Sequence, residues 1–362
     1  MTKKKVYLEW LRVLAILLVL FNHLPGFSLF MTTDREPERA LSMFVAMFTR
    51  INVPLFFMVS GAVLLGREED CRAVLGRRAL RIAAVTVLYS AALYCYLGVY
   101  YTVYKKWDFD FSVQRFFYGL AALNLESADT YWFLYAYMSY LLLLPFLRRI
   151  ARGMNAQEFR LLIGLHFLVC SALPLLNLLL ASLGKPELTL YKELTLPLAG
   201  GKAFFYPLIG YYLDTAVDIR CLKRKMLAAL CLAGAVGLIA MCLCTYAEAA
   251  RTGEYAQSFV TLFDYAAAIA VFLLVKRLVL VTRPALGEGK TARRVCLLGS
   301  LAFGVYLLEP YFKVVFWSPY LRLMSPYLHA YPLSLLWIAA VFPLGALITW
   351  GLKKLPVLKK LL

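Results

Sequence analysis

Ten stretches of this chain stay apolar for long enough to cross about 30 Å of hydrocarbon, and that recurrence decides the class of fold. They run at about Tyr7–Phe30, Ala40–Leu65, Ala79–Tyr101, Tyr131–Leu147, Leu161–Ala181, Leu198–Leu213, Met226–Tyr246, Ser258–Val281, Cys296–Trp317 and Pro332–Leu352. With 62% of residues hydrophobic and only 17% charged, the 362-residue chain lies outside the range of soluble domains. The expected fold is an all-α integral membrane protein, a bundle of about ten transmembrane helices. No connection is long enough for a second domain, so residues 1–362 are read as one. The longest, roughly Thr102 to Thr130, carries Trp107, Asp108, Phe109, Asp110 and Phe111, a mixture suited to a short interfacial helix or a lid.

A net charge of +18 invites a nucleic-acid reading, but the distribution of that charge opposes it. Starting from Lys3, Lys4 and Lys5, every second connection is basic: Arg67 to Arg81, Arg148 to Arg160, Arg220 to Lys225, Lys276 to Arg294 and Lys353 to Lys360. These hold 26 of the 39 lysines and arginines, whereas the opposite connections hold ten. That alternation places the basic connections and both termini in the cytoplasm, with an even number of spans. No nucleic-acid partner is expected. The basic start followed by an apolar run resembles a secretory signal, but no small-residue cleavage pattern follows Phe21, so an uncleaved anchor is expected. None of the eight cysteines falls in a connection assigned to the outside, so no disulfide is expected. Cys242 and Cys244 lack the spacing partners of a zinc site, and no metal is expected. Pro284 to Thr291, PALGEGKT, ends like a phosphate-binding loop but has Pro284 in place of its first glycine.

Ionisable residues inside apolar spans are costly and usually have a task. Arg12 and His23 share the first span, eleven residues apart. That is close to three helical turns, so both leave one face of a helix, about 16 Å apart along its axis. On the assigned topology His23 lies in the outer half of the bilayer. So do Arg50 and Asn52 in the second span, Lys202 in the sixth, Asp264 in the eighth and Glu309 in the ninth. A common polar chamber facing the bundle interior accounts for all of them. Plainer roles remain open for several: Arg50 can snorkel to headgroups, Lys202 can be interfacial, and Asp264 can be a counter-ion to either. Glu309 precedes Pro310 and either satisfies backbone freed by the kink or faces the chamber. On the cytoplasmic side Arg77, Arg78 and Arg81 enter the third span, and Arg78 and Arg81 share a helix face. Arginine suits bidentate phosphate binding there, although the topology rule alone also calls for basic residues. His166 and His329 are read as a packing and a loop residue.

The Arg12-x10-His23 spacing resembles the first-span signature of the membrane acyltransferase-3 family. Val53-Pro54-Leu55-Phe56-Phe57-Met58-Val59-Ser60-Gly61 resembles its second-span motif, and Arg78-x-x-Arg81 its cytoplasmic R-x-x-R. Tyr131 to Leu134 with Pro145, Phe205 to Tyr212, and Phe303 to Leu308 are similar to its later blocks. The resemblance implies transfer of an acyl group, commonly acetyl, from cytoplasmic acetyl-CoA or another acyl-CoA to a carbohydrate hydroxyl at the outer side. It implies His23 as base or acyl acceptor, with Glu309 able to orient it, and Arg12, Arg78 and Arg81 in donor binding. Ser60, Arg50, Asn52, Lys202 and Asp264 then belong to the acceptor side. Imidazole ordinarily titrates near neutrality, which suits it to take a hydroxyl proton.

The resemblance also departs from the pattern. Glu309 stands where many members have a histidine, and Tyr135, Ala136 and Tyr137 follow Trp132 where other branches have a glutamate. The chain resembles the shorter branch of the family, which lacks an appended extracellular esterase-like domain. The implied partners are the acyl-CoA co-substrate, a glycan or glycolipid acceptor and the lipid bilayer, with no permanently bound cofactor. The implied location is a bacterial cell membrane. Two rival readings are a secondary transporter or exporter of a polar solute using the same chamber, and a silent membrane sensor. The transporter reading lacks the inverted repeats usual in that class.

Overall fold

A computed structural model describes residues 5–24, 36–109, 111–125, 129–191, 194, 197–253, 259–328 and 330–362. Every regular element among them is helical. In chain order these are α1 (Val6–Asn22), α2 (Glu36–Thr49), α3 (Asn52–Leu64), α4 (Cys71–Lys105), α5 (Val113–Ala122), α6 (Trp132–Gly153) and α7 (Ala156–Ser182). There follow α8 (Lys202–Thr215), α9 (Arg224–Thr252), α10 (Asp264–Thr282), α11 (Gly289–Met324), α12 (Ala330–Leu352) and α13 (Pro356–Leu361). The chain divides into two compact units, Met1–Glu68 with Phe146–Gly299, and Glu69–Pro145 with Ser300–Leu362.

Seven helical stretches among the described residues are long and apolar enough to cross a membrane: Arg39–Leu64, Cys71–Lys105, Ala156–Ser182, Arg224–Thr252, Asp264–Thr282, Gly289–Met324 and Tyr331–Leu352. The other three expected spans fall on α1, α6 and α8. Of these, α1 and α8 are short, and α6 carries Arg148, Arg149 and Arg152 in its last turns. Two expected boundaries move. The first helix ends at Asn22 rather than continuing to Phe30, consistent with Pro25 barring helical backbone at Leu24; residues 25–30 lie outside the described set. The second expected span is broken at Arg50 and Ile51, which make only tight i→i−3 bonds to Met47 and Phe48. Pro54 causes this, because it has no N–H to return to the Arg50 carbonyl; it is tolerated in the first turn of α3.

In the first unit, α3 and α8 approach until their backbones touch. A Cβ on Gly61 would overlap the carbonyl of Pro207, and one on Gly210 would overlap the carbonyl of Met58. Small residues permit this because lipid gives helices no hydrophobic reason to associate, so close backbone packing takes over. The ends away from Asn52 and Lys202 are tied by basic side chains. Lys276 of α10 donates to the Leu213, Asp214 and Val217 carbonyls at 2.7, 3.1 and 2.8 Å, answering acceptors that the C-terminus of α8 leaves open. Arg148 donates to the Leu64 carbonyl at 3.0 Å and Arg152 to that of Arg67 at 2.9 Å, doing the same for α3. Asp214, almost wholly buried, receives Lys5 Nζ at 2.6 Å and the Tyr7 hydroxyl, which fastens the start of α1 to α8.

In the second unit, α11 and α12 repeat the small-residue contact: Gly304 leaves no room for a Cβ against Thr349, and Gly345 faces Val305. The long connection after α4 contains α5, capped by Ser112, whose hydroxyl accepts from the Arg115 N–H at 3.2 Å. Phe116 is the buried residue of α5, and Val113, Phe117 and Tyr118 are exposed, which fits the interfacial-helix expectation. Tyr101 stacks on Trp107 with centroids 5.5 Å apart, and Phe111 occupies the space above Gly98.

Gly61→Ala and Gly210→Ala are expected to destabilise the protein by about 1–3 kcal/mol or more, since the obstructing atoms are backbone. The check is the unfolding midpoint and monodisperse yield in detergent, against Gly76→Ala, where a Cβ meets open space. Lys276→Met strands three carbonyls and is expected to cost about 3–5 kcal/mol, seen as a lowered midpoint in the same assay.

Candidate active site

Both residues that opened the functional reading lie on α1. Its unbroken backbone from Val6 to Asn22, with His23 still right-handed helical at its C-terminal cap, keeps Arg12 and His23 on one face. Arg12 pairs with Glu9 one turn earlier, Nη1 to Oε2 at 2.5 Å. Glu9 is buried, and its carboxylate fills the space where Gly299 of α11 lacks a side chain. His23 is half-buried, and its own N–H bonds to the Val19 carbonyl at 3.0 Å. It therefore sits at the end of the helix rather than deep inside a longer one.

The structure brings three of the five residues assigned to the acceptor side, Asp264, Arg50 and Lys202, together in the first unit. Asp264, 1% exposed, opens α10 and accepts from the Tyr206 hydroxyl of α8 at 2.6 Å. Arg50 and Lys202 lie within electrostatic reach of it. Asn52, 2% exposed, opens α3, which packs against α10. Ser60 is half-buried about 12 Å further along α3, away from this group. α7 contributes two neighbours, His166 and Ser171, of which sequence reasoning named only the first. His166 stacks on Phe205 with centroids 3.7 Å apart and its Nδ1 meets the Ala199 carbonyl, a packing role as expected. Ser171 donates to the Leu262 carbonyl at 2.5 Å, bracing the turn before Asp264.

The second unit holds the arginine pair. A wider helical turn at Val74–Ala79 carries Arg77 and Arg78, and Arg78 forks onto Glu69 with Nε–Oε2 at 2.9 Å and Nη2–Oε1 at 2.5 Å. Arg81 donates from Nε to the Leu361 carbonyl at 3.0 Å. Tyr137 lies within electrostatic reach of both, and Tyr140 within reach of Arg78. Arg78 thus already holds a carboxylate in the bidentate manner that a phosphate would need. Neither Glu69 nor Leu361 stands at a helical spacing from the pair, so nothing local signalled them.

Glu309, 2% exposed, lies in α11 just before Pro310, among tyrosines of the same unit. The Tyr131 hydroxyl donates to the Leu307 carbonyl at 2.8 Å, and that of Tyr306 to the Thr130 carbonyl at 2.7 Å. Tyr311 donates to the Tyr89 carbonyl at 2.9 Å. Pro310 supplies no N–H to the Tyr306 carbonyl four residues earlier, and Tyr131 reaches the next carbonyl along, that of Leu307. Tyr131→Phe is expected to lower stability by about 1 kcal/mol, read from the unfolding midpoint, because the buried hydroxyl bond to the Leu307 carbonyl is lost.

The family model for the acyltransferase domain of the acyltransferase 3 type matches residues 5–354, across both units. No curated protein and no solved structure matches the chain. Matched along nearly its whole length, with seven helices apolar enough for a bilayer, the chain belongs to the acyltransferase 3 family and is a membrane acyltransferase.

Proposed function

We propose that the protein is an O-acetyltransferase that moves acetyl from cytoplasmic acetyl-CoA to a hydroxyl of a surface glycan or its lipid-linked precursor. The reading takes the chain to cross a bacterial cell membrane ten times with both termini in the cytoplasm; the alternation of basic connections supports that topology. The observation that carries it is the single face of α1 that bears a phosphate-capable guanidinium at Arg12 and an imidazole at His23, in a chain of the acyltransferase family.

In this reading His23 takes the proton of the acceptor hydroxyl as that oxygen attacks the carbonyl of the acetyl thioester, whose carbon–sulfur bond breaks to release coenzyme A, the thiol taking up the proton. Arg78 and Arg81 bind donor phosphates, and Arg12 contributes to donor binding while held by Glu9. Glu309 is kept as a second catalytic residue of this reading, and Arg50, Asn52, Ser60, Lys202 and Asp264 line the acceptor side. General-base assistance contributes about 10²–10⁴-fold to such a step, so removing the imidazole should nearly abolish turnover.

The test measures O-acetyl esters on surface glycans from cells that carry wild type, His23→Ala or Arg12→Ala at matched expression. Ester content is expected to fall to about 1% or less of wild type in His23→Ala, given the size of the general-base term. Arg12→Lys is expected to recover little, since an ammonium cannot reproduce the guanidinium fork. Unaltered ester levels in His23→Ala would remove that residue from the mechanism. Purified protein should release coenzyme A from acetyl-CoA, and labelled-solute counterflow without such release would instead favour the transporter.

A further inference from the structure

In the second unit, α5 is fastened along one side and open along another. Its Phe116 ring packs on Tyr94 with centroids 5.6 Å apart, and the Tyr94 hydroxyl accepts from the Ser112 N–H at 3.3 Å. The Tyr135 hydroxyl of α6 donates to the Leu120 carbonyl at 2.5 Å. At the C-terminal end Leu123 takes left-handed backbone (φ 54°), which turns the chain so that the Asn124 N–H donates to the Gly119 carbonyl at 2.8 Å. Leu125 then folds back onto Gly119, where a Cβ would collide with it. Between the helix and this returning segment lies an open cleft of about 680 Å³, lined by Arg115, Tyr118, Gly119, Ala122, Asn124 and Leu125.

The helical period sorts α5 into three arcs. Phe116 and Leu120 face the protein, and Val113, Phe117 and Ala121 form an exposed apolar arc. Arg115, Tyr118, Gly119 and Ala122 make the third arc, centred about 150° from the apolar one. With the apolar arc laid on the bilayer, as in an interfacial helix, the cleft opens to water rather than to lipid. Its chemistry is one-sided: it offers a guanidinium, a carboxamide and an exposed phenol ring, and among the described residues no acidic side chain lines it. The bonds that hold α5 leave the side chains of Arg115, Tyr118 and Asn124 unused. A fork of N–H donors matches a carboxylate or phosphate, an amide matches hydroxyls, and an aromatic face matches the apolar face of a sugar ring.

We propose that this cleft is an acceptor subsite for an acidic saccharide, whose carboxylate or phosphate meets Arg115 while the sugar ring lies on Tyr118 and hydroxyls reach Asn124. The proposal rests on the acyltransferase reading for the word acceptor, but binding can be tested without turnover. Wild-type protein in neutral detergent is titrated calorimetrically at constant ionic strength with two matched pairs, trigalacturonate against maltotriose and glucose 1-phosphate against glucose. At least one acidic sugar is expected to bind about tenfold more tightly than its neutral counterpart, an ordinary gain for a charge-assisted contact. The pair that responds separates a carboxylated glycan from a phosphorylated precursor.

Arg115→Met is expected to abolish that preference. Ala122→Trp fills the cleft and is expected to abolish binding, whereas Ala121→Trp, one residue away on the apolar arc, is expected to leave it unchanged; both alanines are exposed, so neither change disturbs packing. Equal binding of the neutral sugars, undiminished binding in Ala122→Trp, or an undiminished preference in Arg115→Met would each overturn the proposal. So would tighter binding of short-chain phosphatidylglycerol than of either acidic sugar, which would make the cleft a lipid-headgroup site. Acidic-sugar binding without any release of coenzyme A from acetyl-CoA would leave the cleft standing and sink the acyltransferase chemistry proposed above. Glycan O-acetylation that persists undiminished in Ala122→Trp would do the reverse.

Discussion

The first unit depends on the meeting of α3 and α8 at Gly61 and Gly210, where each missing side chain admits the other helix's carbonyl. Without the hydrophobic drive available in water, two apolar helices associate in lipid through such close packing, and a single methyl at either glycine is an obstruction made of backbone. That contact sets the depth of everything on both helices. Asn52 and Lys202 are the first residues of those helices, and α10 joins them through Tyr206 and Asp264. The polar neighbourhood is thus a consequence of an apolar crossing two turns away.

The ionisable residues of this chain fall into two kinds, distinguished by what they touch. Lys276, Arg148 and Arg152 reach carbonyls at helix ends, and their charge is spent on backbone acceptors that lipid cannot satisfy. Asp214 is the fastening point of α1 through Lys5 and Tyr7. These residues are structural. Asp264 differs, because its buried carboxylate accepts from Tyr206 and lies within electrostatic reach of Arg50 and Lys202 rather than capping a helix end. Arg78 stands between the kinds: its fork is occupied, but by a carboxylate whose geometry matches a phosphate.

Several features were legible in the residues themselves. Arg12 and His23 leave one face because a helix repeats every 3.6 residues, and that arithmetic needs no tertiary contact. The break at Arg50 was implicit in Pro54, and the end of α1 in the Leu24–Pro25 pair, although a hydropathy window runs across both. Other features left no local trace. Tyr7, Asp214 and Lys276 are scattered over most of the chain, as are Tyr131 and Leu307, and no periodicity connects them. Glu69 sits in the turn before α4 and reads as an ordinary surface carboxylate until Arg78 is seen to grip it.

By itself the sequence determined that this chain is a helical membrane protein of the acyltransferase 3 family, and which residues share a face within one helix. Apolar length and helical period are local properties, so they survive without knowledge of neighbours. Only the tertiary structure decided which buried charges cap helix ends and which gather around Asp264. A hydrogen bond spans about 3 Å, and the residues that come that close are chosen by how helices pack, not by their order along the chain.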